Sequence, residues 1–326
     1  MDKNLRGVKM KKLAASVVLI IFVIFMIPFI IISCSKTKKP KVITTPKHLV
    51  KVFDCVSNEI MELDLEDYIA GVVAAEMPGS FHIEALKAQA LAARTYTLMR
   101  MEQYGGGGCA NHFGADICTD STHCQAYKDP KTLGKNYEKV MEAVLSTKGE
   151  IIVYEQSLID AVFHSTSGGK TENSEDVWTN KVPYLRSVVS EYEDSSPKLV
   201  TMQKINIDEF ITGLKSMDSG LKTSKKTLKN EMKIMERSEG GRVAKIKIGN
   251  KTFTGRDIRE KFGLNSSNFN FNFSKNEITF TVIGYGHGIG MSQYGADGMA
   301  RNGYDYRDII RHYYQGVEIA DMDMLK

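Results

Sequence analysis

Apolar positions set the first elements of this chain. Leu65, Ile69, Val72 and Val73 recur at helical spacing and predict a helix over about 65–76. Asp64 is placed to cap it, with Asp67 three residues on. Pro78 biases Met77 away from the α region, so this helix should end near Glu76. Glu76 continues the stripe of Leu65, Ile69 and Val72, a carboxylate where the pattern asks for an apolar side chain. A second helix is predicted over 82–103 and a third over 135–147. "GEIIVYEQSLIDAVFH" reads as a hairpin with strands at 150–154 and 158–164. Residues 192–199 are polar and turn-rich, and 200–235 suggest two weak amphipathic helices. "RVAKIKIGNKTFTG" alternates around Gly-Asn and "FNFNFSKNEITFTVIG" around Ser-Lys-Asn, predicting two more hairpins. "YDYRDIIRHYYQG" predicts a short helix stopped at Gly316. Helices with antiparallel hairpins give an α+β fold.

The N-terminus changes the picture. Leu13 to Ser33 is an uncharged apolar run, long enough to cross a bilayer as a helix. It exceeds an ordinary signal-peptide core and lacks a small-residue cleavage site, so it reads as a membrane anchor. "IISC" also permits lipidation at Cys34 as an alternative anchor. Basic residues flank both sides of the run, Lys36, Lys38, Lys39 and Lys41 following it, so charge asymmetry does not orient it. A short basic N-terminus stays inside, which puts the body outside the membrane, after a polar tether at 35–48.

Composition adds little beyond this. Of 326 residues, 42% are hydrophobic and 25% charged, an ordinary globular mixture. The net charge of +4 rests on the basic N-terminus, and the remainder is nearly neutral, which argues against a nucleic-acid partner.

Four stretches carry chemistry. Glu76 sits at a helix C-terminus on an apolar stripe. Burial and the helix dipole both disfavour its charged form, as a proton donor requires; a pairing with Arg or Lys, or a turn to solvent, is the structural alternative. "CANHFGADICTDSTHC" gathers His112, Cys118, His123 and Cys124, donors suited to tetrahedral zinc. A disulfide from Cys109 to Cys118 or Cys124 is the alternative. "HSTSGGKT" lacks the first glycine of a phosphate loop, which excludes ATP; Ser165, Ser167, Gly168 and Gly169 could donate hydrogen bonds to a polar ligand. "GYGHGIGMSQYGADGMA" fits no dinucleotide fingerprint, and its His287, Gln293 and Tyr294 suit sugar hydroxyls. Lys87 and Arg94 share a helix face, either as a solvated stripe or with Arg94 meeting a buried partner.

"AAEMPGSFHIEALKAQALAARTY", "FHSTSGGKTENSEDVW" and "GYGHGIGMSQYGADGMA" together resemble the stage II sporulation protein D (SpoIID) family, peptidoglycan lytic transglycosylases of endospore formers, over roughly residues 50–322. The resemblance implies that Glu76 is the catalytic acid, that Lys87, Arg94 and Tyr294 serve the site, and that His112, Cys118, His123 and Cys124 hold a structural Zn2+ found in some members. It implies cleavage of the N-acetylmuramic acid–N-acetylglucosamine bond with 1,6-anhydro ring formation during engulfment. That chemistry needs one carboxylate, whereas ordinary glycoside hydrolysis uses two. It also implies a mother-cell membrane location facing the septal wall, the stage II sporulation proteins P and M as partners, and glycan strands stripped of stem peptides as the preferred substrate. The expected organisation is a tail and anchor at 1–34, a tether at 35–48, a helical catalytic domain at 49–199 and 275–322, and a smaller inserted α/β lobe at 200–274. Two other readings use the same residues: a zinc-dependent cell-wall amidase or peptidase, though no H-E-x-x-H is present, and a non-catalytic wall-binding scaffold.

Overall fold

A computed structural model describes residues 48–325. The apolar run at 13–33, Cys34 and the tether up to Lys47 lie outside them; among the described residues no helix is long and apolar enough to cross a membrane. The fold mixes helix and sheet in the α+β manner.

The main body is built on two helices, α1 (Leu65–Glu76) and α2 (Ile83–Arg100). The Asp64 carboxylate caps α1 by accepting from the Glu66 N–H at 3.1 Å. The helix closes at Met77, whose φ of −120° and ψ of 142° are extended, as a residue before proline should be. His82 caps α2 through its ring nitrogen, which accepts from the Glu84 N–H at 3.3 Å. Alanine and leucine fill α2, and nearly all of it is buried. The small side chains let several neighbours close on it at once: α1, α3 (Tyr137–Ser146), β4 (Glu150–Tyr154), α8 (Gln293–Arg301) and α9 (Tyr306–Tyr313). Burial of this kind contributes about 25 cal/mol per Å² of apolar surface.

Antiparallel strands border this body. β1 (Leu49–Asp54) and β2 (Glu59–Asp64) form a hairpin ahead of α1 that the sequence pattern did not signal, since only Val50 and Val52 are fully buried in it while Met61 and Leu63 pack on the core part-exposed. β4 pairs with β5 (Ser157–Leu158) through a two-residue turn in which Glu155 and Gln156 both have positive φ. The predicted strand at 158–164 is thereby split. β5 completes the hairpin, while β6 (Phe163–His164) leaves it to pair in parallel with β13 (Met291–Ser292). That short parallel pair brings the "HSTSGG" and "GYGHGIG" loops side by side.

A second hydrophobic core runs from Ile205 to Val282. The first predicted helix of 200–235 is preceded by a strand, β7 (Val200–Asn206), which leads into α5 (Ile207–Met217). The second shrinks to one turn, α6 (Leu228–Glu231), followed by β8 (Lys233–Arg237). Period-two alternation across Val200–Asn206 accounts for the strand, and β7 is held by β12 (Glu277–Ile283). β9 (Val243–Ile248) and β10 (Lys251–Phe253) turn at Gly249-Asn250, and α7 (Gly255–Phe262) starts with a capping box between Thr254 and Asp257. β11 (Phe269–Phe273) pairs with β12, so β12 sits in the lobe's own sheet and the chain returns to the main body after Ile283.

Candidate active site

Glu76 stands at the C-terminus of α1 and lines a cleft of about 630 Å³. Its neighbours there include Tyr96, Arg100, Gln125, Ala126, Asp160, His164, Ser165, Trp178, Arg259, His287 and Gln293. The Ala126 N–H donates to Glu76 Oε1 at 2.9 Å, and Gln293 Nε2 to Oε2 at 3.4 Å. Gln293 also reaches the buried Gln89 Oε1 at 3.5 Å, which links α8 and α2 behind the carboxyl. Glu76 has no ion pair with any described residue. Burial raises its pKa above the usual carboxylate range, against the lowering effect of the two hydrogen bonds. The ion-paired alternative therefore does not describe this carboxyl.

The loop that delivers Ala126 crosses α1 at Gly71. A Cβ there would lie 2.0 Å from Tyr127 Cε2, so only glycine lets the Tyr127 ring pack on the helix. The Lys128 N–H donates to Gly71 O at 3.2 Å, and Tyr127 stacks on Tyr68 with ring centroids 5.6 Å apart. α8 is fixed from the other side, where the His82 N–H donates to Asp297 Oδ1 at 2.6 Å.

Of the remaining sequence-predicted residues, Ser165, His287 and Gln293 line the cleft with Glu76. His287 accepts the Ile289 N–H on Nδ1 at 3.0 Å, so its Nε2 carries the proton that meets Phe163 O at 3.0 Å. Burial and the charges of Arg259 and Arg242 push its pKa down to about 4, so it is neutral. Tyr294 is half-buried, edge-on to Phe81 with centroids 4.9 Å apart, and lies outside the cleft lining. Lys87 pairs with Glu84 at 2.7 Å and lies over the Tyr306 ring.

Arg94 does not reach the cleft. It is fully buried and forks onto Glu66, with Nε to Oε1 at 3.1 Å and Nη2 to Oε2 at 2.6 Å. Its remaining donors meet Val144 O, Glu150 O and the Thr147 hydroxyl. Every donor is taken inside the fold, which ties α1 and α2 to the end of α3.

Ser167, Gly168 and Gly169 do form an anion cradle, with both glycines at positive φ. What fills it is the chain's own Glu193. Its Oε1 accepts from Ser167 N–H (3.0 Å), Ser167 Oγ (2.8 Å), Ser190 Oγ (2.8 Å) and Ser292 Oγ (2.5 Å). Its Oε2 accepts from Gly168 N–H (2.7 Å) and Gly169 N–H (3.3 Å). The cradle is thus a buried lock that holds the "HSTSGG" loop. Sequence reasoning missed Glu193 because its only local setting is a polar turn.

The Cys/His loop folds beside Glu76, and His123 and Cys124 line the same cleft. Cys109 Sγ, Cys118 Sγ, Cys124 Sγ and a His123 ring nitrogen lie within 4.8 Å of one another. His123 Nδ1 is 3.6, 3.4 and 3.2 Å from the three sulfurs in that order. Those separations match the edges of a tetrahedron of ligands at about 2.1–2.3 Å from a zinc ion. His112 stacks on Phe53 and places Nδ1 3.2 Å from Cys109 Sγ, at the rim of the quartet. All four described cysteines are free, so the disulfide alternative is not formed.

A model of the SpoIID family, described as a stage II sporulation protein, matches residues 56–154. Stage II sporulation protein D of Bacillus amyloliquefaciens is 40% identical over 282 residues, covering 84% of this chain and 79% of that protein. This chain belongs to the stage II sporulation protein D family. The Bacillus subtilis family member is 38% identical over the same length and coverage. A more distant relative, the amidase enhancer of Bacillus subtilis, is 29% identical over 307 residues, 77% of this chain and 40% of that protein. The span matched by the family model includes Glu76 and the Cys/His loop.

Proposed function

We propose that this chain is a peptidoglycan lytic transglycosylase, which cleaves the N-acetylmuramic acid–N-acetylglucosamine bond and closes a 1,6-anhydro ring. The observation that carries the reading is Glu76, a carboxyl with a raised pKa and no cationic partner in a large polar cleft. The protonated carboxyl gives its proton to the glycosidic oxygen as the bond from muramic C1 breaks, leaving a 4-hydroxyl on the glucosamine. The resulting carboxylate takes the proton of the C6 hydroxyl as O6 bonds to C1. No water is consumed, and Glu76 returns to its starting state. The intramolecular attack gains from proximity.

The second carboxylate in the cleft, Asp160, is engaged by Arg100 at 3.3 Å, which supports a one-carboxylate mechanism over two-carboxylate hydrolysis. A raised pKa keeps the acid form of Glu76 populated at higher pH than for an ordinary glutamate. The rate of anhydro-sugar release should therefore fall as pH rises through that raised value. The test is digestion of purified wall with Glu76→Gln and Asp160→Asn variants. We expect the first to lose roughly 10²–10⁴ in rate and the second to keep the anhydro products. Loss of anhydro product in both, with hydrolytic ends from the parent, would overturn the reading.

In this reading one structural zinc ion is held by Cys118, His123 and Cys124, with the fourth position taken by Cys109 or His112. The support is donor geometry: four ligands would close the coordination sphere, as a structural rather than a hydrolytic metal requires. When bound, the ion would neutralise thiolate charge and cross-link the loop that carries Ala126. The apolar run at 13–33 supports a membrane anchor, and a body on the septal-wall side is what the resemblance implies. As the resemblance implies, the proposed partners are the stage II sporulation proteins P and M, and the proposed substrate is glycan stripped of its stem peptides.

A further inference from the structure

A second cleft of about 760 Å³ adjoins the first, and Trp178, Arg259, Tyr285 and His287 line both. Its wall carries three arginines and three carboxylates. Arg242 is buried against Glu172 at 3.2 Å. Arg256 Nε meets Glu260 at 2.7 Å, and Asp176 accepts from Asn173 at 3.2 Å. Arg259, projected from α7 of the lobe, is half-buried and has no side-chain hydrogen bond or ion pair with any described residue. Burial and the neighbouring positive charges of Arg242 and Arg256 lower its pKa, against the attraction of Glu260. A guanidinium held in that setting without a partner is costly, and a bound anion would relieve the cost.

The substrate supplies one class of anion. Muramic acid carries a lactyl group whose carboxyl is an amide while the stem peptide is attached and a free carboxylate once it is cleaved. A planar guanidinium takes a carboxylate through two parallel hydrogen bonds and gains little from an amide. Trp178, the chain's single tryptophan, lines both clefts with Arg259 and offers an apolar ring for a sugar face. We propose that Arg259 is the specificity-determining residue of this groove: it binds the free lactyl carboxylate of a muramic acid lying in the same cleft as Glu76. This rests on the transglycosylase reading for the identity of the sugar, and it makes the lobe a reader of whether the stem peptide has been removed.

The test uses the full chain in detergent, with Glu76→Gln to stop turnover. Binding is measured to a glycan oligomer of alternating glucosamine and muramic acid with free lactyl carboxylates, and to the same oligomer with each carboxylate converted to its methylamide. The acid form should bind roughly tenfold or more tightly, the scale of a charge-assisted hydrogen-bonded pair. Arg259→Gln should abolish that preference while leaving the amide form's affinity unchanged, and Arg259→Lys should restore part of it. Arg259 leaves no described partner unsatisfied, so its replacement should not shift the melting temperature. Should it do so, the acid-to-amide ratio of the Glu76→Gln protein still decides the matter. Equal binding of acid and amide, or an equal loss for both in Arg259→Gln, would overturn the proposal. Failure to bind either oligomer would remove the glycan reading and the proposal with it. An intact acid preference with no anhydro product from the parent enzyme would remove the transglycosylase mechanism alone.

Discussion

Two carboxylates show how one residue type takes opposite roles. Glu66 is nearly buried, yet it meets the Arg94 fork at 2.6 and 3.1 Å. Glu76, three turns along the same helix, has only an amide N–H and a glutamine beside it. The first pair stabilises the fold and the second carboxyl is left to react. Arg94→Met should therefore leave Glu66 buried and unpaired, at a cost of about 3–5 kcal/mol. Chemical denaturation followed by circular dichroism measures this, and glycan affinity of the protein that remains folded should be unchanged. A stable Arg94→Met protein with weakened glycan binding would place Arg94 in the substrate site instead. Glu76 was legible in the sequence because it breaks an apolar stripe just before Met-Pro. Arg94 was legible only as a charge among alanines, and Glu66 was not legible at all, since the two meet across 28 positions of chain.

At the scale of elements, two loops set the chemistry by how they cross helices. Gly71 is where the 125–128 segment lies against α1. Gly71→Ala would gain about 1 kcal/mol of helix propensity, but overpacking against Tyr127 costs about 1–3 kcal/mol. We expect a lower melting temperature and slower turnover as Ala126 is pushed off Glu76. A further Tyr127→Ala substitution should recover part of the melting temperature, the Lys128 backbone oxygen 2.9 Å from the added Cβ limiting the gain, and additive losses in that double variant would contradict the packing account. The Cys/His loop gives the second test. Metal analysis of the full chain should find about one zinc per molecule, as a four-ligand site implies. Cys118→Ser and Cys124→Ser should each release it, and comparing Cys109→Ser with His112→Ala identifies the fourth ligand. A metal-free chain of unchanged stability would refute the zinc site. The loop's donors were visible as a dense run of cysteine and histidine. Which of them converge depends on the parallel pairing of β1 with β3 (Ile117–Cys118), which no local pattern reports.

At the scale of the molecule, two cores enclose one groove. The main body supplies Glu76, Gln293 and Asp160, while the lobe supplies Arg259. The hairpins of the lobe were legible from strict alternation around Gly-Asn and Ser-Lys-Asn. Its strand at Val200–Asn206 was not, because a short polar-apolar alternation beside a true helix reads as one amphipathic segment. Arg259 was equally hidden: on α7 it looks like any solvated arginine until the lobe is folded against the cleft.

The central claim is that one carboxyl, Glu76, carries both proton transfers without water. The most direct measurement is mass spectrometry of peptidoglycan fragments released by the full chain in H₂18O, beside its Glu76→Gln variant. The account predicts 1,6-anhydromuramic ends free of 18O from the parent and none from the variant. Reducing ends carrying 18O, or anhydro ends still released by Glu76→Gln, would contradict it.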